Sequence, residues 1–326
     1  MTVLSQTVLC HNVRNLGPRQ SRAGGRYRTL GNRMSGRTIE LVVVGAMAGT
    51  MFGSMMVGTL VAQTHKELRF NVGARANLSV NNPYGSISVK PSPGNTVVVS
   101  ASLWSDKVEI DSNQTGNRVD IQSHLLPGAT PASGHVDYEI LVPADTSVSL
   151  HSATGPMRAE GLHGDMTLEG AAAIVDVRDI TNAHVHVKTL DGPVTLTNVI
   201  EGHVEVDSLS GSVTLNRVTG PLVQVISTSG GIHYSGDFGD SGEYRLTSHS
   251  GDIDATVPDS TSADVSASSV RGEVHDDIPL QPKAHTSYIV REGSAFVGTM
   301  GRAAVSSTVV LRSFSGKIHL RKRTAK

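Results

Sequence analysis

Residues 203–220 read HVEVDSLSGSVTLNRVTG, and this stretch decides the fold. Apolar Val204 and Val206 flank the polar Glu205, and the same alternation resumes at Val213 after a Ser-Gly corner. Successive side chains of a strand point to opposite faces, so this alternation is typical of half-buried strands. The stretch therefore predicts two short strands joined by a tight corner.

The pattern recurs at a nearly fixed period. A glycine or small substitute marks each corner at steps of 18, 19, 19, 19, 21 and 21 residues, namely Gly155, Ala173, Gly192, Gly211, Gly230, Gly251 and Gly272. We call these corner residues anchors. Apolar residues stand seven and five positions before each anchor and two positions after it, and the same spacing returns in residues 78–89 and 309–320. The sequence predicts an all-β protein, a single-stranded parallel β-helix or solenoid with coils of about 19–21 residues and of either hand.

The composition fits a narrow solenoid interior. Aromatic residues make up 4% and charged residues 17% of the 326 residues, so the core must consist of small aliphatic side chains. Cys10 is the only cysteine, which excludes a disulfide scaffold and a cysteine-based zinc or redox centre.

Charge is distributed unevenly along the chain. Residues 1–63 carry seven arginines and one acid, Glu40, so the totals of 28 basic and 29 acidic residues leave 21 and 28 for residues 64–326. An acidic body repels phosphate backbones, and we therefore expect no nucleic-acid partner.

Residues 41–62, LVVVGAMAGTMFGSMMVGTLVA, form an uncharged run after this basic stretch. The pattern is typical of a signal peptide cleaved after Gln63 or of an uncleaved signal anchor, and both alternatives stay open. Translation could start at Met1 or at Met34, and Cys10 lacks the apolar run of a lipidation site. We expect export to the periplasm, cell envelope or cell surface, with membrane contact only through this run if it is uncleaved.

Four regions are predicted from these patterns. Residues 1–63 form the basic extension and signal or anchor, residues 64–132 an N-terminal β region, residues 133–320 the solenoid repeats and residues 321–326 a basic tail. Residues 125–131 interrupt the pattern and are predicted to form a linker or large loop. Residues 276–308 lose the register and are predicted to form a loop-bearing coil or the start of a cap.

Two segments resemble a known family. They are LSVNNPYGSISV at residues 78–89 and VDYEILVP at residues 136–143. The repeated Ser-Gly-x-Val/Ile corners are a third shared feature. These features resemble the DUF4097 family of bacterial proteins named as adhesins, over roughly residues 75–320. The resemblance implies an exported β-solenoid, and it brings no catalytic residues with it.

The sequence offers no clear enzyme site. Three positions after the anchors, the outward ladder is expected to read Arg158, Asp176, Thr195, Thr214, His233, Asp254 and His275, in which no two acids are adjacent. Enzymes on β-helices that act on polysaccharides need clustered carboxylates. Nucleotide-binding, serine-hydrolase and zinc-protease motifs are also missing. We therefore predict no catalytic residues, no cofactor-binding residues and no cofactor.

Three histidines are the strongest candidate metal ligands. His184 and His186 lie on one face of a strand, and His203 is in register with His184 on the next coil. No carboxylate or cysteine joins them at ligand spacing in the sequence, so we predict solvated side chains and no metal site.

The sequence thus favours a non-enzymatic envelope protein that presents an elongated solenoid surface to an unidentified surface protein or glycan. A structural or regulatory envelope module without an adhesive role is the alternative. A carbohydrate-active enzyme on a β-helix is the weakest of the three readings.

Overall fold

The computed structural model describes residues 63–278, 280–281, 295–301 and 307–323. This part of the chain is built from strands. In chain order they are β1 (Thr64–Asn71), β2 (Asn77–Asn81), β3 (Ile87–Pro91), β4 (Thr96–Leu103), β5 (Val108–Thr115), β6 (Arg118–Leu125), β7 (Val136–Val142), β8 (Ser147–Thr154), β9 (Met157–Glu160), β10 (Met166–Ala172), β11 (Val175–Thr181) and β12 (His184–Thr189). They continue with β13 (Val194–Ile200), β14 (His203–Ser208), β15 (Val213–Val218), β16 (Leu222–Ser227), β17 (Ile232–Ser235), β18 (Glu243–Ser248), β19 (Ile253–Val257), β20 (Ala263–Ser269), β21 (Val274–Asp276), β22 (Ala295–Met300), β23 (Ser307–Ser313) and β24 (Ile318–Lys322).

The strands form two sheets of 12, which are parallel in the middle and antiparallel near some of the edges. Sheet A has the order β1-β4-β7-β3-β9-β11-β13-β15-β17-β19-β24-β21. Sheet B has the order β22-β20-β23-β18-β16-β14-β12-β10-β8-β2-β6-β5. Each central coil gives one strand to each sheet, so the predicted all-β parallel solenoid is confirmed, and its coils have two main strands.

The predicted strand phase is also confirmed. Val204 pairs in register with Val185 on one side and Val223 on the other, and all three are buried. Glu205, between the buried Val204 and Val206, keeps 43% of its side chain exposed. The space between the sheets is filled by such aliphatic ladders, because one side chain in two from each strand points inward.

Buried hydroxyl groups tie down the corners. The residue three before an anchor is usually serine or threonine, and Ser208 Oγ donates to the carbonyl oxygen of Gly211 at 2.7 Å. The sequence predicted a tight corner at these positions, where glycine permits either a tight bend or a positive φ. Gly155 has a positive φ of 122°, whereas Gly211 has an ordinary φ, and a Cβ at Gly211 would clash with the carbonyl group of Gly192 on the preceding coil. Close backbone approach between coils therefore requires these glycines.

Two coils are inserted out of sequence order. β23 lies between β18 and β20, and β24 lies between β19 and β21. Gly251 and Gly272 are consecutive anchors in sequence, yet Gly316 separates them in the stack. In the same way β2 lies between β6 and β8, and β3 lies between β7 and β9. Strands of the predicted N-terminal β region, residues 64–132, are therefore hydrogen-bonded to strands of the predicted solenoid repeats, residues 133–320.

The segments that lack the repeat register have distinct roles. β22 pairs antiparallel with β20 and forms the edge of sheet B, as expected for the start of a cap, while residues 282–294 and 302–306 lie outside the described residues. Residues 126–135 connect β6 to β7 as a loop. No helix in the described ranges is long and apolar enough to span a bilayer, and the predicted signal or anchor at residues 41–62 lies outside them.

The two segments that carried the family resemblance meet in a buried polar network. Asn82 is fully buried, and its Nδ2 donates to the carbonyl oxygen of Val136 at 2.8 Å. The Ser123 hydroxyl donates to Asn82 Oδ1 at 2.9 Å and hydrogen-bonds the Tyr138 hydroxyl at 2.8 Å. Burial raises the pKa of Tyr138 to about 12, so its hydroxyl stays protonated. Buried polar groups need such partners, which explains why asparagine and tyrosine occur in these segments.

Candidate binding surfaces

The predicted outward ladder forms one column on sheet A, with one insertion. The register places Arg158, Asp176, Thr195, Thr214, His233 and Asp254 side by side on consecutive strands. His319 of β24 then lies between Asp254 and His275, which corrects the expected order. The acids of this column remain separated from one another.

A shallow groove of about 350 Å³ opens on this face, over β3, β9 and β11. Its charged side chains pair with each other: Arg178 contacts Asp176 at 2.8 Å and Lys90 contacts Glu160 at 3.8 Å. Hydrogen bonding to Asp176, with the charge of that carboxylate, raises the pKa of the Arg178 guanidinium. Because the charges are mutually satisfied, this groove offers little free hydrogen-bonding capacity.

A second groove, of about 410 Å³, lies on the outer face of sheet B over β5, β6, β2 and β8. It is lined by polar side chains, with two carboxylates and neither lysine nor arginine. Asp120 accepts two hydrogen bonds from Arg118 Nε on its own strand, at 2.9 and 3.0 Å. Among the other lining residues, several side chains make no hydrogen bond or ion pair within the described residues, and those on the outward face are Ser79, Asn81, Asp111, Asn113 and Gln122. The sequence reasoning missed this groove, because its residues come from four strands separated along the chain.

The structure brings the three candidate histidines together and adds a carboxylate. The rings of His184 and His203 stack with centroids 4.8 Å apart. Glu205 lies 3.1 Å from His203 and 3.4 Å from His186, so the expectation that no carboxylate joins them was wrong. Glu205 comes from the same strand as His203, and the parallel register sets it beside His186. The hydrogen bond from His203 lowers the pKa of the Glu205 carboxyl, helped by the charges of both histidines.

The histidine cluster shows no metal-binding geometry. In the described part of the chain, no group of three His, Cys, Asp or Glu side chains is placed to hold a metal ion. The rings of His184 and His203 face each other, and Glu205 is engaged by hydrogen bonds. The arrangement forms a hydrogen-bonded surface network across adjacent strands.

A polar cluster around the only tryptophan was also missed by the sequence reasoning. Trp104, 43% exposed, donates its indole N–H to Asp137 at 2.9 Å. Asp137 also accepts bonds from the amide and hydroxyl of Ser86, at 2.9 and 2.6 Å, and lies 3.2 Å from His135. Burial acts to raise the pKa of Asp137, but these hydrogen bonds outweigh it and hold the pKa below its ordinary value. A lone tryptophan and an acid inside a family segment were the available signals.

Apolar side chains are exposed along one corner of the stack. Leu190 and Leu209 occupy equivalent positions on consecutive coils, and each is about half exposed at 51% and 50%. Ile226 on strand β16 is 45% exposed, but it pairs with Asp207, and the position equivalent to Leu209 on that coil is Thr228. Because the ladder hydrogen bonds fix the backbone at the corner, Leu190 and Leu209 form a small, rigid apolar ridge.

Comparison with known proteins gives a family. The family model described as Toastrack DUF4097 matches residues 76–321. A solved structure described as a putative cell adhesion protein from Clostridium sporogenes aligns with 80% of this chain and 100% of its own, at 12% identity and a TM-score of 0.26, which is too low to support an inference. No curated protein sequence matches the chain. Since the family model spans most of its length, the chain belongs to the Toastrack DUF4097 family.

Proposed function

We propose that this chain is a non-enzymatic protein of the cell envelope that binds another surface component, a protein or a glycan, through the outer faces of its sheets. The observation that carries the proposal is the groove on sheet B, where five polar side chains with no partner among the described residues face solvent on a rigid scaffold. A surface of this kind supplies preformed hydrogen-bonding groups, which is what recognition of a polar ligand requires. The resemblance to proteins named as adhesins is consistent with this role.

Export is part of the proposal and rests on the N-terminal sequence. The basic stretch followed by the uncharged run at residues 41–62 is the pattern of a signal peptide or signal anchor. The location would then be the periplasm, the cell envelope or the cell surface, with an inner-membrane anchor if the run is retained.

The absence of catalysis is likewise a proposal, supported by the state of the acids. A general acid needs a carboxyl whose pKa is raised toward the working pH. The carboxyl groups of described residues with a resolved shift are Asp137, Glu205 and Glu273, and all three have lowered pKa values. Tyr138 has a raised pKa, but it is buried in the network with Ser123.

The alternative is a structural or regulatory envelope module, and the apolar ridge is the observation that favours it. A ridge formed by Leu190 and Leu209 would suit a permanent protein neighbour better than a soluble glycan. Such a module would be present in the envelope without binding added surface material.

Two measurements test the proposal. Cell fractionation with protease treatment of intact cells, combined with N-terminal sequencing of the mature protein, gives the location and the state of the signal. The purified protein is then incubated with isolated envelopes of the source cells, and sedimentation measures binding. We expect protein in the envelope fraction and saturable binding, whereas a cytoplasmic location would refute the proposal.

A further inference from the structure

The groove on sheet B is a regular grid of side chains. Strand register aligns Asn113, Asp120, Ser79 and Ser149 in one row across β5, β6, β2 and β8. A second row, two residues along each strand, consists of Asp111, Gln122, Asn81 and His151. With strands about 4.8 Å apart, each row is about 14 Å long. The alternate residues of these strands, such as Val80 and Ile121, are buried, so both rows face outward.

The hydrogen-bonding capacity of this grid is largely unused. Ser149 is bonded to His151 at 3.1 Å, and His151 contacts Glu169 at 3.3 Å, so the β8 end is occupied. The side-chain amides of Asn81, Asn113 and Gln122 make no hydrogen bond within the described residues, and each of these amides can donate and accept at the same time. Asp111 has no cation partner in the described part of the chain, and as a carboxylate it can only accept. The grid therefore offers both hydrogen-bond donors and hydrogen-bond acceptors to a ligand.

The charge of the groove selects the ligand class. Asp111 lies on the edge strand β5 and Asp120 on the adjacent strand β6, and the lining contains neither lysine nor arginine. An anionic ligand would be repelled by Asp111, and Arg118 beside the groove is already bonded to Asp120. Hydroxyl groups, by contrast, donate to carboxylates and amide oxygens and accept from amide N–H groups. A neutral ligand with many hydroxyl groups matches this surface.

We propose that the grid of Asn81, Asn113, Gln122, Asp111 and Ser79 binds a neutral glycan chain of the cell surface. The proposal rests on the function proposed above and specifies the ligand of its main groove. The chain lies along the two rows, across the strands, so that its hydroxyl groups reach the amides of β2, β5 and β6. The groove on sheet A, whose charges are already paired, is not part of the site.

The test compares two double variants in the envelope-binding assay. Asn81→Ala with Asn113→Ala removes two free amides from the grid. Thr197→Ala with Asn216→Ala removes matched outward polar groups from sheet A, and it serves as the control. Loss of one or two hydrogen bonds should weaken binding by the grid variant about tenfold, while the control variant binds like the wild type.

Chemical treatment of the envelopes separates glycan from protein ligands. Periodate, which cleaves vicinal diols, should abolish binding, and protease treatment of the envelopes should not. Cellotetraose, a neutral competitor, should reduce binding. Tetragalacturonate, an anionic competitor, should be about tenfold weaker as an inhibitor.

Other outcomes would overturn the proposal. Binding that survives periodate but is lost after protease treatment would keep the envelope function and refute the glycan site. Equal competition by tetragalacturonate, a requirement for calcium revealed by chelation, or an unchanged affinity of the grid variant would each refute recognition of a neutral glycan by this grid.

Discussion

The Ser269 hydroxyl donates to the carbonyl oxygen of Gly316 at 2.8 Å, across 47 residues of sequence. This contact fixes the coil of β23 and β24 against the coil of β20 and β21. The opposite side of the coil of β23 and β24 packs on the coil of β18 and β19, where Gly316 meets Gly251. The C-terminal segment is thus an internal layer of the stack with neighbours on both sides. Its loss would uncover two layers at once.

Because this coil lies inside the stack, we predict that substitutions of its buried residues destabilise the fold as much as substitutions in the central coils. Val309 is fully buried, and its neighbour Val310 points outward beside Arg245. Val309→Asp places an unpaired charge in the aliphatic column and should lower the free energy of unfolding by about 3–5 kcal/mol. Val310→Asp should be nearly neutral. Urea denaturation of the two variants measures the difference, and equal destabilisation would contradict the assigned register.

The corner glycines give a second prediction. Gly211→Ala places a Cβ against the backbone of Gly192 on the adjacent coil, so the coils must separate. Overpacking of this kind costs about 1–3 kcal/mol. Gly231 provides a matched control, because a Cβ there meets only ordinary contacts, starting 3.4 Å away. Thermal denaturation should show a clear loss for Gly211→Ala and a change within about 0.5 kcal/mol for Gly231→Ala.

Deletion of one complete coil should be tolerated. Removing residues 192–210 joins Asp191 to Gly211 and takes out β13 and β14 together, which leaves β11 to pair with β15 and β12 with β16. Stability of a stacked repeat is approximately a sum over coils and their interfaces, so the shortened protein should stay folded. A nine-residue deletion inside this coil would turn buried valines to solvent and should cause aggregation. Circular dichroism and size-exclusion chromatography compare the two, and the opposite result would refute the stacked architecture.

The Trp104–Asp137 pair predicts a pH-dependent signal. The pKa of Asp137 is lowered below its ordinary value of 3.8, so the ionised carboxylate stabilises the folded state. This contribution is complete above the unfolded-state pKa and is lost as the pH falls through the lower, folded-state pKa. Since the chain has one tryptophan, its fluorescence reports this site alone.

We expect the emission of Trp104 to change at a pH below 3.8 when Asp137 is protonated and releases the indole N–H. Asp137→Asn should remove that transition. Asp106→Asn, two residues from Trp104 in sequence, is the control and should retain it. A transition that persists in Asp137→Asn would show that another group controls the fluorescence.

The sequence alone determined where the strands lie and which face of each strand is buried. The alternation around Val204 fixed which side chains are buried, and the anchors at Gly192 and Gly211 fixed the length of a coil. Both follow from local physics, because a strand has a period of two and a close corner admits only a small residue. The outward column from Arg158 to Asp254 could be predicted for the same reason.

The tertiary structure alone decided the order of the coils and the groupings that depend on it. Every coil carries the same apolar spacing, so each fits many neighbours, and local pattern cannot tell that Gly316 belongs between Gly251 and Gly272. The contact of Glu205 with His186 needed the exact register of neighbouring coils. The polar grid joins β5 and β6 to β2 and β8, which are brought together by strand pairing at long sequence separation, and such pairing leaves no periodic trace in the sequence.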